Sequence, residues 1–148
     1  RDLRMSRGLG DVYKRQGRTG ALLVERVRAA GLPLELLAVG TNAIATATMM
    51  KAGANQGATG ENPVMVACRT ADVIVGPIGI LSADALSGEI TPAMAVAIGQ
   101  SAAKKLLLPV NRHCGHTMVG VRDLTLSQLV DEVVEQLRLL CAEELITM

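Results

Sequence analysis

Few residues of this sequence have the types and spacing that catalysis requires. Glu61 and Glu89 are the best candidates for a general acid or base, because residues of predicted loops flank each of them. Carboxylates near helix N-termini more often act only as partners of the helix dipole, so both roles stay open. The sequence has no nucleophile elbow, Walker lysine or HExxH motif. It therefore leaves open whether the protein is an enzyme, and it predicts no reaction.

The thiols and imidazoles do not form a recognisable metal site. Residues 112–116, RHCGH, place two histidines and a cysteine in one short segment without an evident fourth ligand. An ordinary loop that contains two histidines is the favoured interpretation. Cys68, Cys114 and Cys141 are odd in number and lack CxxC spacing, which favours reduced thiols over disulfides. No metal is predicted, and the cofactor is unknown.

Small and polar residues follow each predicted strand and supply the main functional signal. Glycine allows backbone to approach a ligand closely, and Thr or Asn can cap a helix and also bond that ligand. Parallel α/β sheets need such residues at their turns in any case, but four segments together favour a binding site where the strands end. The predicted ligand-binding residues are Gly17, Thr19, Gly20, Gly40, Thr41, Asn42, Thr59, Glu61, Asn62, Gly76, Gly79 and Asn111.

The turn after the first complete strand limits the class of ligand. NAD-specific sites usually place Asp or Glu there, to bind the ribose hydroxyls. This sequence has Gly40-Thr41-Asn42 instead, which argues against NAD. A phosphorylated ribose, another nucleotide or a small anionic metabolite stays possible as the ligand.

Short apolar runs alternate with helical patterns along the chain. Runs at residues 34–39, 72–76 and 105–109 predict buried strands, and residues 117–121 suggest a shorter edge strand. A polar loop is expected at residues 55–62.

Several helix boundaries can also be predicted. A helix following Gly17-Arg18-Thr19-Gly20 should end at Gly31, and Thr41 or Asn42 should cap the next one. Further starts are expected at Asn62-Pro63 and Thr91-Pro92, with a short helix within residues 77–89 and an amphipathic C-terminal helix from about Ser127.

The alternation predicts a Rossmann-like α/β domain with three layers and a mostly parallel sheet. Such domains begin with a central strand, whereas this pattern begins with the turn that would follow one. The first strand is therefore expected to be missing, or its place to be taken by the residues before Gly17. A gap in the middle of the sheet would make the chain poorly stable.

Residues 1–16 have no periodic apolar pattern and are expected to be a non-native tail, with one domain over residues 17–148. Residues 11–16, DVYKRQ, can be encoded by a sequence that resembles a transposon-end adapter used to prepare sequencing libraries. A genuine basic tail is the alternative. The whole chain has a net charge of +1. Without residues 1–16, ten basic and twelve acidic residues remain, and the net charge is −2. Nucleic acid is therefore not an expected partner.

The composition, with 49% hydrophobic and 20% charged residues, is that of a globular protein. There is no apolar run of membrane-spanning length, so a cytoplasmic protein with a small-molecule ligand is expected, and a homo-oligomer stays open. An alternative function is a regulatory or assembly module that uses its C-terminal helix, with Met49 and Met50 as adaptable contacts. Methionines that simply fill the core are the simpler explanation.

Three long segments resemble the bacterial family of domain of unknown function 3842. They are GTNAIATATMMKAGANQGATGEN, ADVIVGPIGI and GEITPAMAVAIGQSAAKKLLLPVNR, and the resemblance covers nearly all of residues 17–140. It implies a Rossmann-like fold and a shared pocket without an assigned reaction. Family members typically begin with a short strand and an Asp-Gly-Gln-Gly-Gly type of turn. The resemblance thus implies that native sequence resumes at Gln16 or Gly17.

Overall fold

The computed structural model describes residues 3–7, 18–110 and 117–147 of the chain. Strands and helices alternate through most of it, as the apolar pattern predicts. In chain order they are β1 (Leu3–Arg7), α1 (Arg18–Ala29), β2 (Leu34–Gly40), α2 (Ala43–Lys51), β3 (Gln56–Thr59), α3 (Glu61–Thr70), β4 (Val73–Pro77), a 3-10 turn (Ile78–Leu81), α4 (Pro92–Gln100), β5 (Lys104–Leu108) and α5 (Leu126–Thr147).

All five strands belong to one parallel sheet with the order β3-β2-β1-β4-β5. From β1 the chain builds outward on one side through β2 and β3. It then crosses back to place β4 on the other side of β1, followed by β5. The α/β class with a parallel sheet is thus confirmed. The strand order reverses between β1 and β4.

The central strand comes from the stretch that was expected to lie outside the domain. β1 pairs with β2 from Leu3 opposite Leu34 to Arg7 opposite Ala38, and it also pairs with β4. We expected either a gap in the middle of the sheet or a strand formed by residues before Gly17. The structure has such a strand. Both halves of the sheet are joined through this strand.

Two apolar clusters lie on opposite faces of the sheet, so the domain has three layers. On one face, Leu36 and Val75 pack with residues of α1 and α5, including Val24 and Leu137. On the other face, residues of α3 and α4 pack around Ile74. Alternate residues of a strand point to opposite faces, which is why neighbouring apolar residues of one strand enter different clusters.

Several predicted boundaries are confirmed. The strands predicted at residues 34–39, 72–76 and 105–109 agree with β2, β4 and β5 to within one residue. Asn42 caps α2 by accepting the Ala45 N–H at 2.9 Å, and Thr91 caps α4 by accepting the Met94 N–H at 3.2 Å. The amphipathic C-terminal helix is also present as α5. None of the helices within the described residues is both long enough and apolar enough to cross a membrane.

The prediction of a polar loop at residues 55–62 was wrong for the central residues, which form β3. This four-residue strand lies at the edge of the sheet and is mostly exposed, so it lacks the apolar run that marks a buried strand. Gly57 allows Met50 to pack against it, since a Cβ there would lie 2.7 Å from the Met50 Sδ. The next helix begins at Glu61 after Gly60, and not after a cap at Asn62.

Two further expectations were wrong beyond β4. The short helix expected within residues 77–89 is reduced to the 3-10 turn, because Asp84, Leu86 and Ser87 have positive φ values that a helix cannot contain. The edge strand expected at residues 117–121 is instead an exposed segment with a turn at Val119-Gly120. Gly120 has a φ of +84°, which breaks the extended conformation.

Candidate functional site

The described residues that were predicted to bind a ligand lie at the carboxyl edge of the sheet, which we define as the edge where the parallel strands end. Thr19 and Gly20 begin α1, the helix that follows β1. The others lie at or just beyond the ends of β2, β3 and β4, namely Gly40, Thr41, Asn42, Thr59, Glu61, Asn62, Gly76 and Gly79. Gly17 and Asn111 lie outside the described residues.

The ends of β2 and β3 are joined by backbone and hydroxyl contacts. The Gly60 N–H donates to the Gly40 carbonyl at 3.0 Å, and the hydroxyls of Thr46 and Thr59 are 2.8 Å apart. A Cβ on Gly40 would lie 2.3 Å from the Thr46 Oγ1, so only glycine allows α2 to approach this closely. Thr46 was not predicted as a site residue, since its contact with β3 depends on a strand that the sequence does not reveal.

A distant carboxylate reaches the end of β2. The Thr41 hydroxyl donates to the Glu89 Oε2 at 2.7 Å across 48 residues of sequence. Glu89 was identified as a candidate acid or base, but its position beside Thr41 was not predicted. The sequence showed no carboxylate at the end of β2, and the fold supplies one from another loop.

The loop that carries Glu89 has an unusual backbone. Asp84, Leu86 and Ser87 have φ values of +66°, +56° and +55°, which L-residues rarely adopt. The segment closes on itself through the Asp84 N–H, which donates to the Ile90 carbonyl at 2.7 Å. Leu86 and Ile90 are buried in the core, which offsets the cost of this conformation and holds the loop in place.

Glu61 has a different role from Glu89. Its Oε2 accepts the Thr91 hydroxyl at 2.6 Å, while the same threonine oxygen accepts the Met94 N–H at the start of α4. Glu61 itself lies in the first turn of α3. A carboxylate near the positive ends of two helices stabilises them electrostatically. Of the two open roles, the contacts favour that of a helix-dipole partner for Glu61.

Thr19 is the buried polar residue at the start of α1. The residue is only 8% exposed, and within the described part of the chain its hydroxyl has no hydrogen-bond partner. Burial of an unpaired hydroxyl costs free energy. The positive end of the α1 dipole also lies beside Thr19.

Two clefts lie beside β5 and do not include the predicted site residues. The first has a volume of about 600 Å³ between β5 and α5, and the second, of about 580 Å³, lies beyond the end of β5. Val121, Arg122, Leu124 and Leu129 line both clefts. The lining of the second cleft includes Asp123 with Thr117 and Thr125, whereas that of the first includes glutamates but no hydroxyl side chain.

The structure gives no support for a metal site among the residues that it describes. Within these residues, no group of three or more His, Cys, Asp or Glu side chains lies close enough together to hold a metal ion. The histidines of residues 112–116 lie outside the described part, so the interpretation of that segment as an ordinary loop stays a prediction.

The family resemblance is confirmed by comparison with known proteins. The model of the family described as Domain of unknown function (DUF3842) matches residues 12–142, and the chain belongs to this family. The match begins within the stretch that was expected to be a non-native tail. No curated protein and no solved structure matches the chain.

Proposed function

We propose that this member of the DUF3842 family is a Rossmann-like domain that binds a small phosphorylated or nucleotide-like metabolite at the carboxyl edge of its sheet. The observation that carries the proposal is the strand order, which reverses between β1 and β4. At such a reversal the connections leave the sheet on opposite faces, and a crevice opens between them where ligands bind.

The start of α1 is suited to the anionic part of such a ligand. It follows β1, the strand at which the order reverses, and the positive end of its helix dipole favours a negative charge. Arg18 is the exposed first residue of this helix. The buried Thr19 hydroxyl is an additional donor whose burial a bound oxyanion would compensate.

The proposal extends to the setting in which the protein acts. We place the protein in the bacterial cytoplasm. We propose a small molecule and not nucleic acid as its ligand, because a net charge of +1 over the whole chain lacks the strong excess of basic residues that nucleic acid binding requires. The contacts at the site do not identify a reaction, and we assign none.

The alternative function, an assembly module that uses the C-terminal helix, is less well supported. The apolar face of α5 is occupied by its own domain, since Val130 and Leu137 are fully buried against α1 and the sheet. Met49 is also fully buried, as expected of a methionine that fills the core, whereas Met50 is 38% exposed. A homo-oligomer formed through another surface is compatible with the proposed ligand site.

Thermal unfolding of the full chain with millimolar AMP, ribose 5-phosphate or inorganic phosphate tests the proposal. A ligand at about 100 times its Kd stabilises a protein by about 2.7 kcal/mol, which raises Tm by several degrees. If none of the three compounds raises Tm, the proposal is wrong.

A Thr19→Val variant makes the test specific to the start of α1. Valine has the shape of threonine without the hydroxyl, so loss of an unpaired buried hydroxyl should leave Tm of the free protein unchanged or slightly higher. Stabilisation by the ligand should fall markedly. Thr70→Val, an exposed change at the far end of α3, is the control and should leave stabilisation by the ligand intact.

A further inference from the structure

We infer that two copies of this chain associate through the outer edge of β5, with the two β5 strands antiparallel about a two-fold axis at Leu106. The two parallel sheets then join into one continuous sheet. This inference goes beyond the proposed function and does not depend on it, because the outer edge of β5 is not part of the proposed ligand site.

The outer edge of β5 has backbone groups that can pair with another strand. β5 is last in the sheet order, and β4 is its only strand partner within the described residues. The Lys104 N–H donates to the Asp72 carbonyl, on the side of β4, at 3.0 Å. Because the N–H groups of successive residues in a strand point to opposite sides, those of Lys105 and Leu107 point outward. Such an edge is a template for pairing with another chain.

An antiparallel pairing centred on Leu106 satisfies these outward groups. Residues at equal distances from the axis lie opposite each other, so Lys105 of one copy lies opposite Leu107 of the other. These two residues exchange N–H and carbonyl bonds, and the two-fold symmetry repeats the pair. Pro109, which has no N–H to donate, ends the pairing on the carboxyl side.

The cleft between β5 and α5 supplies the apolar part of the interface. Leu106 and Leu108 lie on its β5 side, and Val121, which is 48% exposed, lies at its rim. An axis perpendicular to the sheet places both α5 helices on the same face of the continuous sheet, so the two clefts adjoin. Leu106 of one copy then lies directly opposite Leu106 of the other, and apolar surface of both is removed from water.

Charges beside β5 are complementary in this orientation. Lys104 is exposed, and it forms no ion pair within the described part of the chain. It lies opposite Leu108 of the second copy, and Glu132 lines the same cleft as Leu108. The contact of Glu132 with Arg122 is 3.9 Å long and exposed, and such surface pairs contribute little. Glu132 of each copy can therefore pair with Lys104 of the other.

The lysines of β5 also favour the antiparallel orientation. Lysines on an edge strand usually oppose pairing, and a parallel arrangement would place Lys104 of both copies side by side. The antiparallel arrangement separates them to opposite ends of the interface. Lys105 is directed back toward its own domain, since its Nζ donates to the Ser101 carbonyl at 2.7 Å. The edge thus accepts a second copy in one orientation.

Sedimentation velocity of the full chain at micromolar concentrations tests the inference, and a dimer is expected. Lys104→Glu should raise the Kd of the dimer by about tenfold, because the symmetry replaces two attractive contacts by repulsive ones. Glu132→Lys should have a similar effect. The double variant, with Lys104→Glu and Glu132→Lys together, restores opposite charges and should recover most of the affinity.

Two control variants make the same charge changes on other elements. Lys51→Glu is an exposed change on α2, and Glu25→Lys is an exposed change on α1. Both should leave the Kd of the dimer as it is in the unaltered chain. Circular dichroism confirms that each variant is folded.

Amide hydrogen exchange at two protein concentrations tests the pairing of the strands directly. The outward N–H groups of Lys105 and Leu107 should exchange more slowly in the concentrated sample, where the dimer forms, than in the dilute one. The N–H groups of β3, at the opposite edge of the sheet, are the control. Their exchange should not depend on concentration.

Several outcomes overturn the inference. A chain that stays monomeric throughout the micromolar range excludes the dimer. If a dimer forms but the single variants do not weaken it, or the double variant does not recover, another surface or another register joins the copies and the inference is wrong. Exchange at Lys105 and Leu107 that is independent of concentration also contradicts it. The proposed ligand site is tested separately by the change in Tm.

Discussion

The two edges of the sheet are held together by different kinds of contact. At the amino edge, where the strands begin, Arg28 of α1 donates to the Gly53 carbonyl at 2.8 Å and to the Leu34 carbonyl at 3.1 Å. It also donates to the Asn55 Oδ1, which accepts the Leu36 N–H at 2.7 Å. One half-buried guanidinium thus joins α1, the start of β2 and the segment before β3.

The carboxyl edge is held by contacts between side chains. Thr41 bonds Glu89 and Thr91 bonds Glu61, so two contacts at this edge pair a hydroxyl with a carboxylate, while the Thr46 hydroxyl bonds the Ala58 carbonyl of β3. A ligand hydroxyl can take the place of such a partner, or bond the same carboxylate beside it. At the amino edge, by contrast, a ligand could not replace Arg28 as the partner of a backbone carbonyl without disturbing the strand.

The difference between the contacts indicates that the two edges of the sheet have different roles. Polar contacts at the amino edge fix where β2 and β3 begin, and this determines their register in the sheet. At the carboxyl edge the positions of the strands are already determined, and the polar groups there are suited to recognition. Loss of a contact should therefore reduce stability most at the amino edge.

Arg28→Met gives the largest expected loss of stability. Methionine retains the apolar stem but removes the bonds to Gly53, Leu34 and Asn55, which should lower the free energy of unfolding by about 2 kcal/mol. Urea unfolding followed by circular dichroism measures this. Arg69→Met, at an exposed position on α3, is the control and should cost much less. Equal effects of the two substitutions would contradict a special role of the amino edge.

The elements with an apolar period could be predicted from the sequence, as could caps that depend on local residues. β4 is buried at every residue and β2 at most of its residues, and apart from Glu35 both have short apolar runs in the sequence. Asn42 and Thr91 cap helices that begin directly after them, so their role depends on a few neighbouring residues only. The expectation that functional groups lie where strands end also follows from the parallel arrangement.

Features that depend on distant partners could not be predicted. β3 is a strand because it pairs with β2, and its own residues are polar and exposed. Glu89 reaches Thr41 because three residues with positive φ redirect the loop, and nothing in the types of Asp84, Leu86 or Ser87 predicts this. Likewise, β1 occupies the centre of the sheet although its residues show no strand pattern.

A Thr91→Ala variant measures how much a polar contact at the carboxyl edge contributes to stability. It removes the cap of α4 and the bond to Glu61, which should lower the free energy of unfolding by about 1 kcal/mol, less than Arg28→Met. Thr91→Ser retains the hydroxyl and should recover most of this loss. Both are measured by the same urea unfolding. A loss for Thr91→Ala above that for Arg28→Met would reverse the proposed division between the edges.

The smallest expected effect concerns Cys68, a thiol in the last half of α3, which runs toward the amino edge. Burial raises the pKa of the Cys68 thiol above its usual value of 9.0, and the charge of Lys105 opposes this in part. Folding therefore favours the protonated thiol. Its contribution to stability is complete below the unfolded pKa and is lost as the pH rises through the folded pKa.

Urea unfolding between pH 7 and pH 10 checks this expectation against Cys68→Ala. The free energy of unfolding should fall more steeply above about pH 9 in the unaltered chain than in the variant, since only the former carries the shifted thiol. Alkylation in a Cys114→Ser background should be slow in the native state, because Cys68 and Cys141 are both buried. If the unaltered chain and Cys68→Ala have parallel pH curves and alkylation is rapid, the amino edge opens readily. The proposed contrast with the carboxyl edge is then wrong.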